Sequence, residues 1–147
     1  GRMIAASFAA DTDIVLVSQV ARDTPGMLEL QEFLSSLGMK CDFEDVTYSL
    51  DAASKVYSTC SVIYSNRLHA LLLAASNGVA PCPVISAQVD RKISGIFLDL
   101  GNCISIELDS WNGTPLPQPG LEYARAFQKS ALMMKSRIKD VTREIFH

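Results

Sequence analysis

Strand and helix patterns alternate strictly along this chain. The alternation predicts an α/β fold, a Rossmann-like three-layer domain with a parallel sheet of about five strands. Three observations carry the prediction. Asp13-Ile14-Val15-Leu16-Val17-Ser18 is a continuous apolar run between polar ends, as in a strand buried on both faces of a parallel sheet. A helical pattern follows each of the first four strand patterns. No linker-like stretch divides the 147 residues, so residues 1–147 read as a single domain.

After the first strand, Thr24-Pro25 opens a helix, with Thr24 as the cap and Pro25 at the first helical position. Met27, Leu28, Leu30, Phe33, Leu34 and Leu37 continue it, and Gly38 stops it. The second strand lies near Cys41 to Val46. Ser49 or Asp51 caps a short helix through Val56 and Tyr57. Ser61 to Ser65 is the third strand, and the helix from Arg67 to Ser76 is closed by Asn77-Gly78. Pro83 to Ser86 is the fourth strand, and Lys92 to Leu100 the next helix, ended by Gly101. Cys103 to Leu108 is the fifth strand. Ser110 to Gly120, with three prolines and two glycines, is a loop.

The last helix spans about Leu121 to Phe146. Its apolar positions Ala124, Phe127, Ala131, Met134, Ile138, Val141 and Ile145 form a narrow seam at heptad spacing, about 30 Å long at the helical rise. Such a seam commonly docks on its own domain. The sharper expectation is a contact with another domain or subunit; without another domain to cover it, the chain is expected to form a homodimer through this C-terminal helix.

Composition narrows the function classes. Apolar residues make up 48% and charged residues 20%, as in globular domains. The mean hydropathy of +0.18 fits either a surface that faces a partner or an alanine-rich core. Net charge is −3, with no basic stripe and few aromatics, which disfavours nucleic acid as a partner. The longest apolar stretch, Leu68 to Ala75, is broken by His69 and is too short to span a bilayer. No signal peptide is visible, and the chain reads as beginning inside a larger protein. Cys41, Cys60, Cys82 and Cys103 form no C-x-x-C pair, so no metal site is expected and the thiols read as reduced and buried. Dinucleotide, P-loop, nucleophile-elbow and zincin motifs are absent from the sequence.

The chemistry concentrates in Ser65-Asn66-Arg67-Leu68-His69, where the third strand gives way to a helix. Ligands of open parallel sheets bind at the carboxyl ends of strands. A helix start carries partial positive charge, so a cation in the first turn is mildly unfavourable. A bound anion removes the conflict and gains the backbone N–H groups, the dipole and a bidentate guanidinium together. His69 lies in the same turn and is one of two histidines in the chain. The bland reading is a solvated arginine and a structural histidine. Asp42, Glu44 and Asp45, near the end of the second strand, read as solvated loop charges, with a sugar-hydroxyl contact as the sharper alternative.

The stretch Ser-Asn-Arg-Leu-His-Ala-Leu-Leu-Leu-Ala-Ala-Ser-Asn-Gly, followed by a proline-bearing turn and Pro-Val-Ile-Ser, resembles the signature of the polysaccharide pyruvyl transferase family. That family has Ser-x-Arg-Leu-His, an alanine-containing helix, a glycine, a proline, a strand and a later lysine, here Lys92. The likeness runs from about Asp13 to Leu108. The turn Gly78 to Pro83 is slightly longer than the family's, and Ala87-Gln88-Val89 stands where the family has an aromatic-Asp approach to the lysine.

The resemblance implies the C-terminal, GT-B-like half of an enzyme about twice this length, whose missing N-terminal domain helps to form the cleft. It implies transfer of the enolpyruvyl unit of phosphoenolpyruvate to sugar hydroxyls of a glycan, giving a pyruvate ketal. The partners are then a small-molecule donor and a glycan acceptor, with no cofactor and no metal. His69 and Arg67 would be catalytic, and Ser65, Asn66, Arg67 and Lys92 would bind substrate. The place implied is the cytoplasm, or the inner face of the membrane as a peripheral protein. Two alternatives stand beside it: the nucleotide-sugar half of a GT-B glycosyltransferase, and a non-catalytic α/β binding module.

Overall fold

The apolar run that opens the sequence pattern becomes a strand at Ile14–Ser18 (β1) in the computed structural model, which describes residues 1–86, 88–100 and 104–145, with side chains as far as residue 133. Around it the elements run α1 (Arg2–Ser7), β1, α2 (Thr24–Ser36), β2 (Cys41–Asp45), α3 (Leu50–Ser58), β3 (Val62–Ser65), α4 (Leu68–Ser76), β4 (Ala80–Ile85), α5 (Arg91–Asp99), β5 (Ile106–Glu107) and α6 (Leu121–Ile145). The α/β class and the parallel strands agree with the sequence prediction, and the pattern is compatible with a Rossmann-like domain. The sheets are smaller than predicted. Five strands are present among the described residues, but β1 and β2 form one parallel pair and β3-β4-β5 a separate three-stranded sheet.

The chain divides into two compact units, Gly1–Val56 with Trp111–Pro117, and Tyr57–Ser110 with Gln118–His147. In the first, β1 and β2 pair in the register Ile14↔Cys41 to Ser18↔Asp45, and α2 packs on both. Helix α2 starts one residue earlier than the sequence predicts. Thr24 is its first residue rather than its cap, and its hydroxyl shares a 2.8 Å hydrogen bond with the fully buried Ser18. That bond satisfies a polar side chain at the end of β1 and takes the Thr24 hydroxyl away from capping. Segment 111–117 is tied in by the Leu116 N–H, which donates to the Ser7 hydroxyl at 2.8 Å.

Helices α2 and α4 end alike. Gly38 and Gly78 have φ of 76° and 74°, the left-handed region where glycine has no Cβ penalty. In α2 the Gly38 N–H reaches the Ser35 carbonyl and Met39 N–H the Leu34 carbonyl; in α4 Gly78 reaches Ala75 and Val79 reaches Ala74. These are paired Schellman bonds, and they satisfy the last carbonyls of each helix before the chain turns into β2 or β4.

In the second unit β4 is central. It pairs with β3 in the register Val62↔Ala80 to Ser65↔Pro83 and, among the described residues, with β5 at Val84↔Ile106 and Ile85↔Glu107. The strand begins three residues before the predicted Pro83 and carries two prolines, Pro81 and Pro83. The Ala80 N–H donates to the Ser61 carbonyl on the β3 side. Backbone groups alternate in direction along a strand, so Pro81 and Pro83 turn their missing donors away from β3. Neither proline removes a bond from the β3 ladder. Among the described residues β5 is Ile106–Glu107, shorter than the predicted Cys103 to Leu108, and the same alternation accounts for this: its pairing starts beyond Pro83, where β4 again has an N–H to offer. Gly101, Asn102 and Cys103, predicted to end α5 and open this strand, lie outside the described residues.

The core of this unit joins Leu71 and Ala75 of α4, Ile85 of β4, Ile93 and Phe97 of α5, Leu100, and Phe127 of α6. The Phe97 and Phe127 rings lie 4.9 Å apart between centroids, a tilted pair at the centre of that cluster. Ala124 and Phe127 are buried and Ala131 packs on the cluster, so the first three seam positions of α6 dock on their own unit. The other four, Met134, Ile138, Val141 and Ile145, lie outside the described side chains.

Candidate functional site

Because β3, β4 and β5 are parallel, their carboxyl ends lie at one edge of the sheet. The chain leaves β3 there through Ser65-Asn66-Arg67, leaves β4 through Ser86 to Asp90, and leaves β5 into a 3₁₀ turn at Leu108–Ser110. The five residues that the resemblance assigns to the site, Ser65, Asn66, Arg67, His69 and Lys92, all belong to this unit and lie on the first two of these exits or the helices they feed.

Strand β3 ends at Ser65, as predicted, and α4 begins at Leu68. Arg67 is therefore the N-cap of α4, one residue outside the predicted first turn. Its backbone is extended, with φ −105° and ψ 113°, and its carbonyl accepts the first helical bond, from the Leu71 N–H at 3.1 Å. The Arg67 N–H donates to the Ser65 hydroxyl at 3.0 Å. The Arg67 side chain does not cap the helix, since arginine carries no acceptor. The first N–H groups of α4 have no acceptor within the helix, and a cation occupies the position that Ser, Thr, Asp or Asn prefers. Arg67 is partly buried, whereas Asn66 and His69 are exposed. Leu68, between Arg67 and His69, packs against the core cluster, which turns the first turn of α4 inward between its two polar neighbours.

Lys92 is exposed in the first turn of α5, next to Arg91. The turn before it is braced from two sides. The Asp90 carboxylate accepts the Ser86 N–H at 2.9 Å, and the Ser86 hydroxyl donates to Asp109 at 2.7 Å. Asp90 thus closes the turn instead of capping α5 with its side chain. Ala87 lies outside the described residues. Both α4 and α5 pack against β4 and share one core cluster, so their N-termini lie at the carboxyl edge of one sheet. The fold thereby brings Ser65, Asn66, Arg67 and His69 onto one strand–helix junction and Lys92 onto the next.

Two features escaped the sequence reading. Ser65 engages the backbone of Arg67, and the pattern Ser-x-Arg at a strand end was its only trace. The Ser86–Asp109 contact joins residues 23 apart and left no local signal. Tyr64, just before Ser65, pairs in register with Cys82, and burial pushes its hydroxyl far above the ordinary tyrosine range, so it stays neutral. Asp42, Glu44 and Asp45 belong to β2 in the other unit and are exposed; Asp45 accepts hydrogen bonds from the Thr47 N–H and hydroxyl.

Among the described residues no group of three or more His, Cys, Asp or Glu could hold a metal ion, and no helix is long and apolar enough to cross a membrane. Cys41, Cys60 and Cys82 are free thiols, and Cys82 is buried. The family model for polysaccharide pyruvyl transferases matches residues 4–87, more than half of the 147-residue chain. The matched stretch contains Ser65, Asn66, Arg67 and His69 and ends before Lys92. No curated protein and no solved structure matches the chain.

Proposed function

The chain belongs to the polysaccharide pyruvyl transferase family, and on that premise we propose that it serves a transferase that moves the enolpyruvyl unit of phosphoenolpyruvate onto two hydroxyls of a glycan. One observation carries the reading beyond the family. A cation, whose own side chain cannot cap a helix, stands at the N-cap of α4, at the carboxyl end of a parallel strand and inside the matched residues. An anionic donor completes that arrangement, supplying the negative charge that the helix start and the guanidinium both favour.

In the proposed reaction the donor's methylene carbon takes a proton and becomes the methyl group. The carbon that bore the phosphate becomes oxocarbenium-like and is attacked by one hydroxyl oxygen. Phosphate departs, and the second hydroxyl closes the ketal. The two hydroxyl protons balance the one gained by the methyl group and the one carried off by phosphate. His69 is assigned as the general acid, since imidazolium suits that task near neutral pH. Arg67 holds phosphate or carboxylate and stabilises the leaving phosphate. Ser65 and Asn66 border the anion, and Lys92 adds positive charge from the neighbouring helix start. The scheme uses no cofactor, and it places an N-terminal domain of the full-length enzyme across the cleft.

The test is direct. The full-length enzyme is incubated with phosphoenolpyruvate and a panel of glycan acceptors, with phosphate release followed by colorimetry and the ketal methyl group by NMR. Equal yields of phosphate and ketal are expected. Binding of nucleotide sugars with no response to phosphoenolpyruvate would replace this reading with a glycosyl transfer.

A further inference from the structure

Ser65 sits two residues before Arg67, and its hydroxyl oxygen accepts the Arg67 N–H at 3.0 Å. Ser65 is the last residue of β3 paired with β4, so Arg67 lies past the end of the ladder. A partly buried backbone N–H at such a point needs an acceptor, and a serine two positions back supplies it by mimicking a backbone turn. The other backbone group of Arg67 is fixed as well, because its carbonyl accepts the Leu71 N–H. The Arg67 Cα is thus held between the strand end and the first turn of α4. The direction in which its side chain leaves the backbone is set by these two bonds. The Ser65 hydroxyl keeps its own proton for donation to a further acceptor.

We propose that Ser65 is the positioning residue for Arg67: its hydroxyl aims the guanidinium at the anion bound at the start of α4. This rests on the proposed donor site and adds to it how that site is held in shape. In this role Ser65 acts through Arg67, so removing the serine loosens the arginine's hold on an anion. It does not act as an independent ligand, so its loss has no effect once the guanidinium is gone.

A double-mutant cycle on the full-length enzyme separates these cases. Wild type, Ser65→Ala, Arg67→Ala and the double variant are titrated with inorganic phosphate by calorimetry, and KM for phosphoenolpyruvate is measured in parallel. Ser65→Ala is expected to weaken phosphate binding by about tenfold, the worth of one hydrogen bond. It is expected to add nothing in the Arg67→Ala background, and Ser65→Thr, which keeps the hydroxyl, should restore most of the affinity. Additive losses in the cycle, or wild-type affinity in Ser65→Ala, would overturn the proposal, as would a wild type that does not bind phosphate. Should Ser65→Ala fail to fold, the Ser65→Thr and Ser65→Cys pair decides the matter through their difference in affinity, which is expected to be large, whereas equal affinities would overturn the proposal. A coupled phosphate cycle in an enzyme that does not turn over phosphoenolpyruvate would leave Ser65 its role and remove the pyruvyl donor.

Discussion

The Tyr123 hydroxyl of α6 donates to the Pro81 carbonyl of β4 at 3.3 Å and accepts from the Ile104 N–H at 3.4 Å. The bridge stands on the side of β4 where the prolines supply no donors and where β5 has not yet begun. A helix side chain thereby takes up two backbone groups that a longer β5 would have paired. Tyr123→Phe keeps the ring near Phe127, 6.2 Å away between centroids, and removes only the hydroxyl. The expected loss is about 1–3 kcal/mol, the penalty for partly buried backbone groups left without partners. Urea denaturation should show a lower midpoint at an unchanged slope, and amide exchange at Ile104 should quicken. Wild-type exchange at Ile104 would show that the bridge contributes nothing.

Phe127 anchors α6 from the other direction. It is almost fully buried against Phe97, and the core cluster spans three helices and β4. Phe127→Ala deletes the ring at that junction and leaves a cavity, at an expected cost of about 3–5 kcal/mol. Phe127→Leu, closer in volume, should lose much less. Equal losses in both variants would mean that the aromatic pair, and not the filled volume, holds the helix.

The parts of this architecture that were legible in sequence are those that local physics decides. Gly38 and Gly78 announced the helix ends because only glycine enters the left-handed region freely. Ser65 announced the end of β3 because the apolar run stops there. The start of β4 is harder to see: the sequence pattern predicts it at Pro83, and Pro81 lies inside the strand although proline is expected at strand edges. What admits it is the direction of its backbone, which depends on register with β3 and is invisible locally. The sequence pattern puts Arg67 one residue too far into α4 for a related reason. Its cap role follows from the hydrogen bond to Ser65, and no propensity scale ranks arginine as a cap. The division into two small sheets was likewise out of reach, because strand patterns do not say which strands share ladder bonds.

The proposed chemistry assigns different losses to the two residues of the α4 junction. His69→Ala in the full-length enzyme should lower turnover by roughly a hundredfold or more, as for a lost general acid. Arg67→Ala should raise KM for the donor as well as lower turnover, because the guanidinium holds the anion before and during reaction. Unchanged pyruvyl transfer in His69→Ala would remove the histidine from the mechanism and leave the anion site in place.

Asp45 gives a pH signature in the first unit. Its carboxylate accepts from the Thr47 hydroxyl and from the Thr47 N–H, and these bonds hold its pKa below the ordinary value. A depressed folded-state pKa contributes stability above the unfolded value, about 3.9, that is lost as pH falls through the folded value. Asp45→Asn should therefore flatten the acid limb of stability below about pH 4. Near pH 7 it removes a contribution that is fully present there. An unchanged acid limb in thermal melts across about pH 2 to 5 would show that the exposed carboxylate is screened to insignificance.

The thiols offer a last test, one that reads burial residue by residue. Burial pushes the Cys41 thiol up, with Asp42 adding to the effect, and burial pushes Cys60 up against a smaller opposing hydrogen bond from Thr59. Alkylation needs the thiolate, so both should react more slowly at neutral pH than an unstructured cysteine, and their rates should go on rising with pH after that of an unstructured cysteine has levelled off. Cys82 has no exposed surface at all and lies in the central strand between Pro81 and Pro83. It can meet iodoacetamide only when β4 opens, so its labelling rate should follow the unfolding equilibrium and rise with added urea well before the transition midpoint. Peptide mass spectrometry after timed labelling distinguishes the three. Cys82 labelled as fast as Cys60 in native buffer would place β4 at the surface and undo the core described for this unit.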